Sequence, residues 1–289
     1  MDLPEISPET PAPITKSSIS PFSPIWTWTG VGLALAGFVL FVLLTPPDLL
    51  DKLDYIAAAV CHRIASHSFF IHEHQLPLCQ RCSGTFPGAL TGLLIQWGLW
   101  RRRRSQRFPT WPMLLVFAGF AGLWGLDGIN SYTTMILRRP EGILGYAPQP
   151  WIRLFTGVLM GSGMSAILAP AFNQTMWADG EYTRALRSWR ELAFLVAIEL
   201  ALGGVILTLA DGLLYPIAVY SAIGVLAMFT TLGSMMFVML LRRDRVFTGW
   251  RNLWLPLVWG LVFAFAVIIT MNFLRIAALG TTQGVPGIS

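Results

Sequence analysis

The sequence predicts an all-α integral membrane protein of about seven transmembrane helices, with one amphipathic helix lying along the membrane surface. Three observations carry this reading. Of the 289 residues, 54% are hydrophobic and only 12% charged, against about 25% charged in an ordinary soluble domain. The mean hydropathy is +0.60. Apolar runs of about 17 to 25 residues, long enough to cross a ~30 Å hydrocarbon core as helix, recur along most of the chain.

Residues 1–24, rich in Pro, Ser and Thr, read as a disordered cytoplasmic tail. They lack the basic segment and short apolar core of a cleaved signal peptide. The expected spans are 25–45, 84–100, 111–126, 151–171, 191–210, 214–241 and 253–275. Residues 25–172 form a membrane domain that carries a Cys/His motif at 61–84. Residues 173–289 form a C-terminal three-helix membrane extension, a surface for a membrane-protein partner. Between the first two spans, Leu49, Leu53, Ile56, Val60 and Ile64 recur every three or four residues after Pro47, which makes one apolar helical face. The stretch HSFFIHEHQLP (67–77) is expected to be a turn or short loop leading to Cys79 and Cys82.

Seven alternating spans put the Arg-rich stretches 101–107, 184–190 and 242–245 on one side with Arg251 and the tail. That side holds thirteen of the twenty Lys and Arg residues. The positive-inside bias therefore places the tail and these loops in the cytoplasm of a multi-pass cell-membrane protein, and the Cys/His motif on the exoplasmic face. The net charge of +5 is explained by topology and by the lipid bilayer as partner, without nucleic acid. Asp127 and Arg153 then fall near the motif at the outer boundary, where charge is costly unless paired or wet; they are expected to pair, with Arg81 as another partner for Asp127. Glu199, deep in the fifth span, should face the bundle rather than lipid.

All three cysteines and all four histidines of the chain lie within CHRIASHSFFIHEHQLPLCQRCSG, residues 61–84. A Cys-x-x-Cys pair lets two thiolates reach one tetrahedral ion. Cys61 is then a third sulfur ligand, and His62, His67, His72 or His74 a fourth. Zinc suits a mixed sulfur and nitrogen tetrahedron best, with iron and copper as alternatives. Two other readings stay open: a thiol/disulfide pair between Cys79 and Cys82 with Cys61 as third thiol, and a plain stabilising disulfide on an oxidising face. The Gly157/Gly161 and Gly84/Gly88 spacings let helix backbones approach closely. Asn173 starts an Asn-Gln-Thr sequon but falls on the cytoplasmic side.

The segments CH (61–62), SF (68–69), PLCQRCSG (77–84), LDG (126–128) and RLFTGVLMG (153–161) resemble the prokaryotic membrane-protein family catalogued as domain of unknown function 2085, over about 61–165. The resemblance implies that Cys61, His62, Cys79, Arg81, Cys82, Gly84, Asp127, Gly128, Arg153, Thr156 and Gly157 belong to one site. His67 stands where the family pattern has Arg, which leaves it outside the ligand set. That set is Cys61, His62, Cys79 and Cys82, with Arg81, Asp127 and Arg153 around it. The resemblance lends no activity. Three function classes remain: a structural or binding role for the metal, as in an accessory subunit of a membrane complex; a metal-dependent membrane enzyme; and a quinone-linked thiol oxidoreductase using Cys79 and Cys82.

Overall fold

The computed structural model describes residues 22–137 and 141–282. Most of the tail expected at 1–24, together with Arg138 and Arg139, lies outside the described residues. Among the described residues, five helical segments are long and apolar enough to cross a membrane. They are α1 (Pro24–Leu44), α4 (Trp111–Leu137), α5 (Pro150–Met176), and α7 (Leu214–Leu240) and α8 (Trp254–Leu279), each of these two with the turn before it. The other two expected spans are also helical. One is α3 (Gln80–Leu93), which continues in π geometry over Leu94–Leu99. The other is α6 (Trp189–Leu207), which carries Arg190, Glu191 and Glu199. The surface helix is α2 (Leu49–Ala58), whose Asp48 side chain caps Leu50 N at 3.0 Å. Its Leu53, Ile56 and Ala57 are buried against α7, α8 and the cysteines.

Glycine sets the bundle centre. A Cβ on Gly84 would lie 2.2 Å from Leu154 O, and one on Gly157 would lie 2.1 Å from Arg81 O. Gly88 and Gly161 continue the seam one turn on. Helices α3 and α5 thus touch backbone to backbone, as the small-residue spacing predicts. Glu199 is fully buried in α6 and accepts a hydrogen bond from Ser162 of α5, on the bundle side as expected. Serine 188 caps α6 by accepting from Glu191 N, the arrangement of a Ser-x-x-Glu helix start.

Two expectations about the connections at the cysteine end change. The stretch after Ile64 is not a simple loop: Ser68–Ile71 (β1) and His74–Cys79 (β2) form an antiparallel hairpin, with Ile71 opposite His74. His72 takes φ 55 in its turn. The buried residues Phe69, Ile71, Leu76 and Leu78 hold the hairpin on the bundle. Pro77 hid this strand from a pattern reading, yet a two-stranded ribbon consists of edges, where proline is tolerated. Helix α4, in turn, does not end at 126 but runs on to Leu137, because Asp127, Asn130 and Ser131 turn one polar face inward and are buried there. At the opposite end of the bundle, Ser105–Arg107 (β3) and Glu181–Arg184 (β4) form a parallel ladder.

Candidate metal centre

The sulfurs of Cys61, Cys79 and Cys82 all lie within 4.8 Å of one another. Three elements bring them there. Cys61 follows the last turn of α2, Cys79 ends β2 and is the residue before α3, and Cys82 lies in the first turn of α3. Cys61 and Cys79 are buried and Cys82 half-buried, and all three are free thiols. Backbone N–H groups of Cys79 (3.1 Å) and Arg63 (3.5 Å) donate to Cys61 Sγ. Such donors stabilise negative charge on sulfur. Arg63 reaches its place with φ 52, a left-handed backbone that an L-residue adopts only under constraint. Its guanidinium pairs with Asp54 at 2.6 Å.

Protons are shared unevenly within the trio. Hydrogen bonds from Cys61 and Cys82 hold the Cys79 thiol well below its ordinary value, and the adjacent His62 ring lowers it further. The bond to Cys79, with burial, pushes Cys61 up to about 12. One thiolate therefore forms readily, and a second needs a cation to displace its proton. The donor set fits a metal: Zn–S bonds of about 2.3 Å in a tetrahedron put sulfurs about 3.8 Å apart, inside the observed spread.

The histidines separate into three environments. His62 is exposed, and its Nδ1 accepts from Ile64 N at 3.0 Å; it lies outside the mutual 4.8 Å group of the sulfurs. His67 stands 5.5 Å from the His62 ring, centroid to centroid. Burial, and then the Arg153 charge, lower it to about 4. His72, at the hairpin turn 3.5 Å from Asp211, and His74 are exposed at the far end of the ribbon, away from the cysteines.

Beside the sulfurs lies a buried polar network. Asp127 pairs with Arg81 at 2.5 Å and accepts from Tyr146 Oη at 3.0 Å. The expected Asp127–Arg153 ion pair is replaced by an indirect link. Arg153 donates to Ser131 Oγ at 3.1 Å, and Arg81 reaches the same oxygen at 3.3 Å. Arg153 also donates to Gln80 Oε1 at 3.0 Å, and Gln80 Nε2 holds Ser68 O at 3.1 Å. The physical reason is direction: Arg81, in the first turn of α3, faces Asp127 across the bare backbone of Gly128, where a Cβ would come within 3.2 Å of its guanidinium.

Residues implied as one site thus divide into a sulfur cluster, a charge network and the Gly84/Gly157 seam. Thr156 donates to Ile152 O and Arg153 O of its own helix. Gln80, Ser131, Tyr146 and Arg275 were missed. Ser131 was findable, since it lies one helical turn beyond Asp127. The guanidinium of Arg275 in α8 caps the carbonyls of Ala58, Cys61 and His62 at 3.1, 2.5 and 2.6 Å.

The fold and this site define the class: a helical membrane protein with a three-cysteine cluster at one end of its bundle. Residues 61–167 match the model of the family described as Predicted membrane protein (DUF2085), the family that the motif resembles. The matched segment runs from Cys61 through the hairpin, α3 and α4 into α5, so it contains the cluster and the charge network, while α1, α2 and α6 to α8 lie outside it. A 40-residue stretch is 38% identical to the uncharacterized protein MJ1492 of Methanocaldococcus jannaschii, covering 14% of this chain and 26% of that protein. The chain thus spans about a quarter of that relative's length. No solved structure matches the chain.

Proposed function

We propose that Cys61, Cys79 and Cys82, joined by His62, hold one metal ion, zinc first, on the exoplasmic face of a seven-span protein of the cell membrane. The ion's role is structural or in binding, within an accessory subunit of a membrane complex. The mutual approach of the three sulfurs within 4.8 Å carries this reading. An ion there joins the end of α2, the hairpin and the start of α3, and adds a cross-link to their apolar packing. His62 completes the tetrahedron by giving up its contact with Ile64 N–H; its exposed ring is free to turn.

Length supports the other two crossings. The continuous helix Gln80–Leu99 and α6 have 20 and 19 residues, about 30 Å each at 1.5 Å per residue. Glu199, the deep charge of α6, is turned away from lipid. The Arg-rich loops gather at the end away from the cysteines, which supports a cytoplasmic tail and an exoplasmic centre. The C-terminal helices α6 to α8, outside the family match, are the surface offered to a membrane-protein partner.

A second reading, a quinone-linked thiol oxidoreductase, is favoured by one observation. A cavity of about 420 Å³ opens beside Cys61 and His62 and is walled by Met271, Leu274 and Leu279 of α8, the apolar setting a lipid-soluble ring needs.

X-ray absorption at the zinc edge on detergent-purified protein tests the proposal. The expected first sphere is three sulfurs at about 2.3 Å and one nitrogen at about 2.0 Å, with the nitrogen replaced by oxygen in His62→Ala. Three sulfurs and one water oxygen in both proteins mean a fourth position open to substrate, and the metal-dependent enzyme becomes the better account; a nitrogen that persists in His62→Ala comes from another histidine. A metal-free Cys79–Cys82 disulfide favours the thiol reading.

A further inference from the structure

At the end of the bundle away from the cysteines, the connections after α3, α5 and α7 enclose an open cavity of about 400 Å³. Arg107, Arg184 and Arg245 line it, one from each connection, with Tyr182 and Trp111. Its frame is built from the backbone. The parallel ladder sets Arg107 directly opposite Arg184. Arg245 is held by its N–H to Thr175 O at 2.8 Å, and Gln174 ties α5 to the ladder through Gln106 O at 2.5 Å. The Arg107 guanidinium lies over the Tyr182 ring, 4.5 Å from its centroid.

The neighbours of these arginines are treated differently. Arg102 and Arg104, in the same loop as Arg107, each have a carboxylate, Glu191 and Asp179. Among the described residues none of Arg107, Arg184 and Arg245 forms an ion pair. Like charges placed opposite one another across a ladder repel, so this arrangement costs free energy unless an anion lies between them. Guanidinium forks match phosphate oxygens two at a time. The cavity rim is apolar on the bilayer side: Trp111, 70% exposed, opens the membrane-crossing helix α4, and Phe108 stands beside it.

We infer that this cavity binds the phosphate headgroup of an anionic phospholipid from the leaflet at this end of the bundle, its glycerol and acyl chains passing over Trp111 into the bilayer. The headgroup phosphate neutralises the Arg107/Arg184 pair and ties the chain's own C-terminal loops to the family-like segment, because Arg184 and Arg245 lie beyond residue 167 while Arg107 lies within the match. Basic loops in general favour this side of a membrane; the inference concerns these three side chains and not the other arginines of the same loops.

The test uses the full chain in zwitterionic detergent, titrated with short-chain phosphatidylglycerol, with phosphatidylcholine as competitor, and read by native mass spectrometry. The expected result is retention of phosphatidylglycerol against excess phosphatidylcholine, with affinity falling about fivefold for each guanidinium removed in Arg107→Gln, Arg184→Gln and Arg245→Gln. The exposed pair Arg187→Gln and Arg190→Gln should leave it within about twofold. Should the triple variant fail to fold, Arg245→Gln alone, in an exposed loop, still gives the fivefold expectation. An equal loss in the Arg187/Arg190 control, or no preference over phosphatidylcholine, overturns the inference. So does displacement of the lipid by equimolar inorganic phosphate, which assigns the cavity to a soluble anion instead.

Discussion

At the cysteine end of the bundle, Asp127 is 2% exposed and held by Arg81 and Tyr146; at the opposite end, Arg104 pairs with Asp179 while 31% and 40% of their side chains remain exposed. The first pair joins α4 to the start of α3, the helix that touches α5 backbone to backbone. The second joins two surface connections, and its arginine also stacks on Trp177, 4.9 Å from the ring centroid. Charge at the cysteine end is positioned by burial, so each partner needs the other. Charge at the arginine end is positioned by short ladders and aromatic faces, so single partners are replaceable. A metal-holding geometry belongs with the first kind of construction.

Substitutions at both ends break or sharpen this contrast, beginning with the seam beneath the cysteine end. Gly157→Val drives carbon into Arg81 O and should destabilise by more than about 4 kcal/mol, the size of effect reserved for such backbone clashes. Gly204→Ala, with nothing within 4 Å, should leave thermal unfolding in detergent unchanged. Asp127→Ala should cost about 3 to 5 kcal/mol by stranding Arg81, and the Arg81→Ala/Asp127→Ala double variant should cost less than the sum of the two. Coupling of Asp127 with Arg153, which are linked through Arg81 and Ser131, should be weaker. Arg104→Ala should cost no more than about 1 kcal/mol, as exposed pairs do. Equal losses for Asp127→Ala and Arg104→Ala would erase the distinction between the two ends.

The same contrast explains what could be read from the sequence. Helices longer than a bilayer announce themselves by composition, so α1, α4, α5, α7 and α8 were legible from apolar runs alone. The gathering of Cys61, Cys79 and Cys82 was legible because no other cysteine competes, and the Gly84/Gly157 seam because small residues repeat every four positions. The hairpin was not: its six-residue second strand contains Pro77 and a polar first half, and tertiary burial rather than pattern makes it a strand. The partner of Asp127 was only half legible, since topology places Arg81 and Arg153 at the same boundary and only the crossing of α3 and α4 decides between them. The ladder between β3 and β4 joins residues more than 70 positions apart and leaves no local signal.

Compartment is checked by single cysteines at Glu73 and Tyr182, both exposed and at opposite ends. Glu73→Cys should label in intact cells, and Tyr182→Cys only after permeabilisation. The reverse pattern would invert the topology while leaving the site's geometry intact.

Elemental analysis with thiol counting on the same detergent-purified sample addresses the central claim most directly. The account predicts about one zinc per chain, with three thiols that react only after chelation, and no bound zinc in Cys79→Ser or Cys82→Ser. Metal-free protein with one reactive thiol and a Cys79–Cys82 disulfide would contradict it.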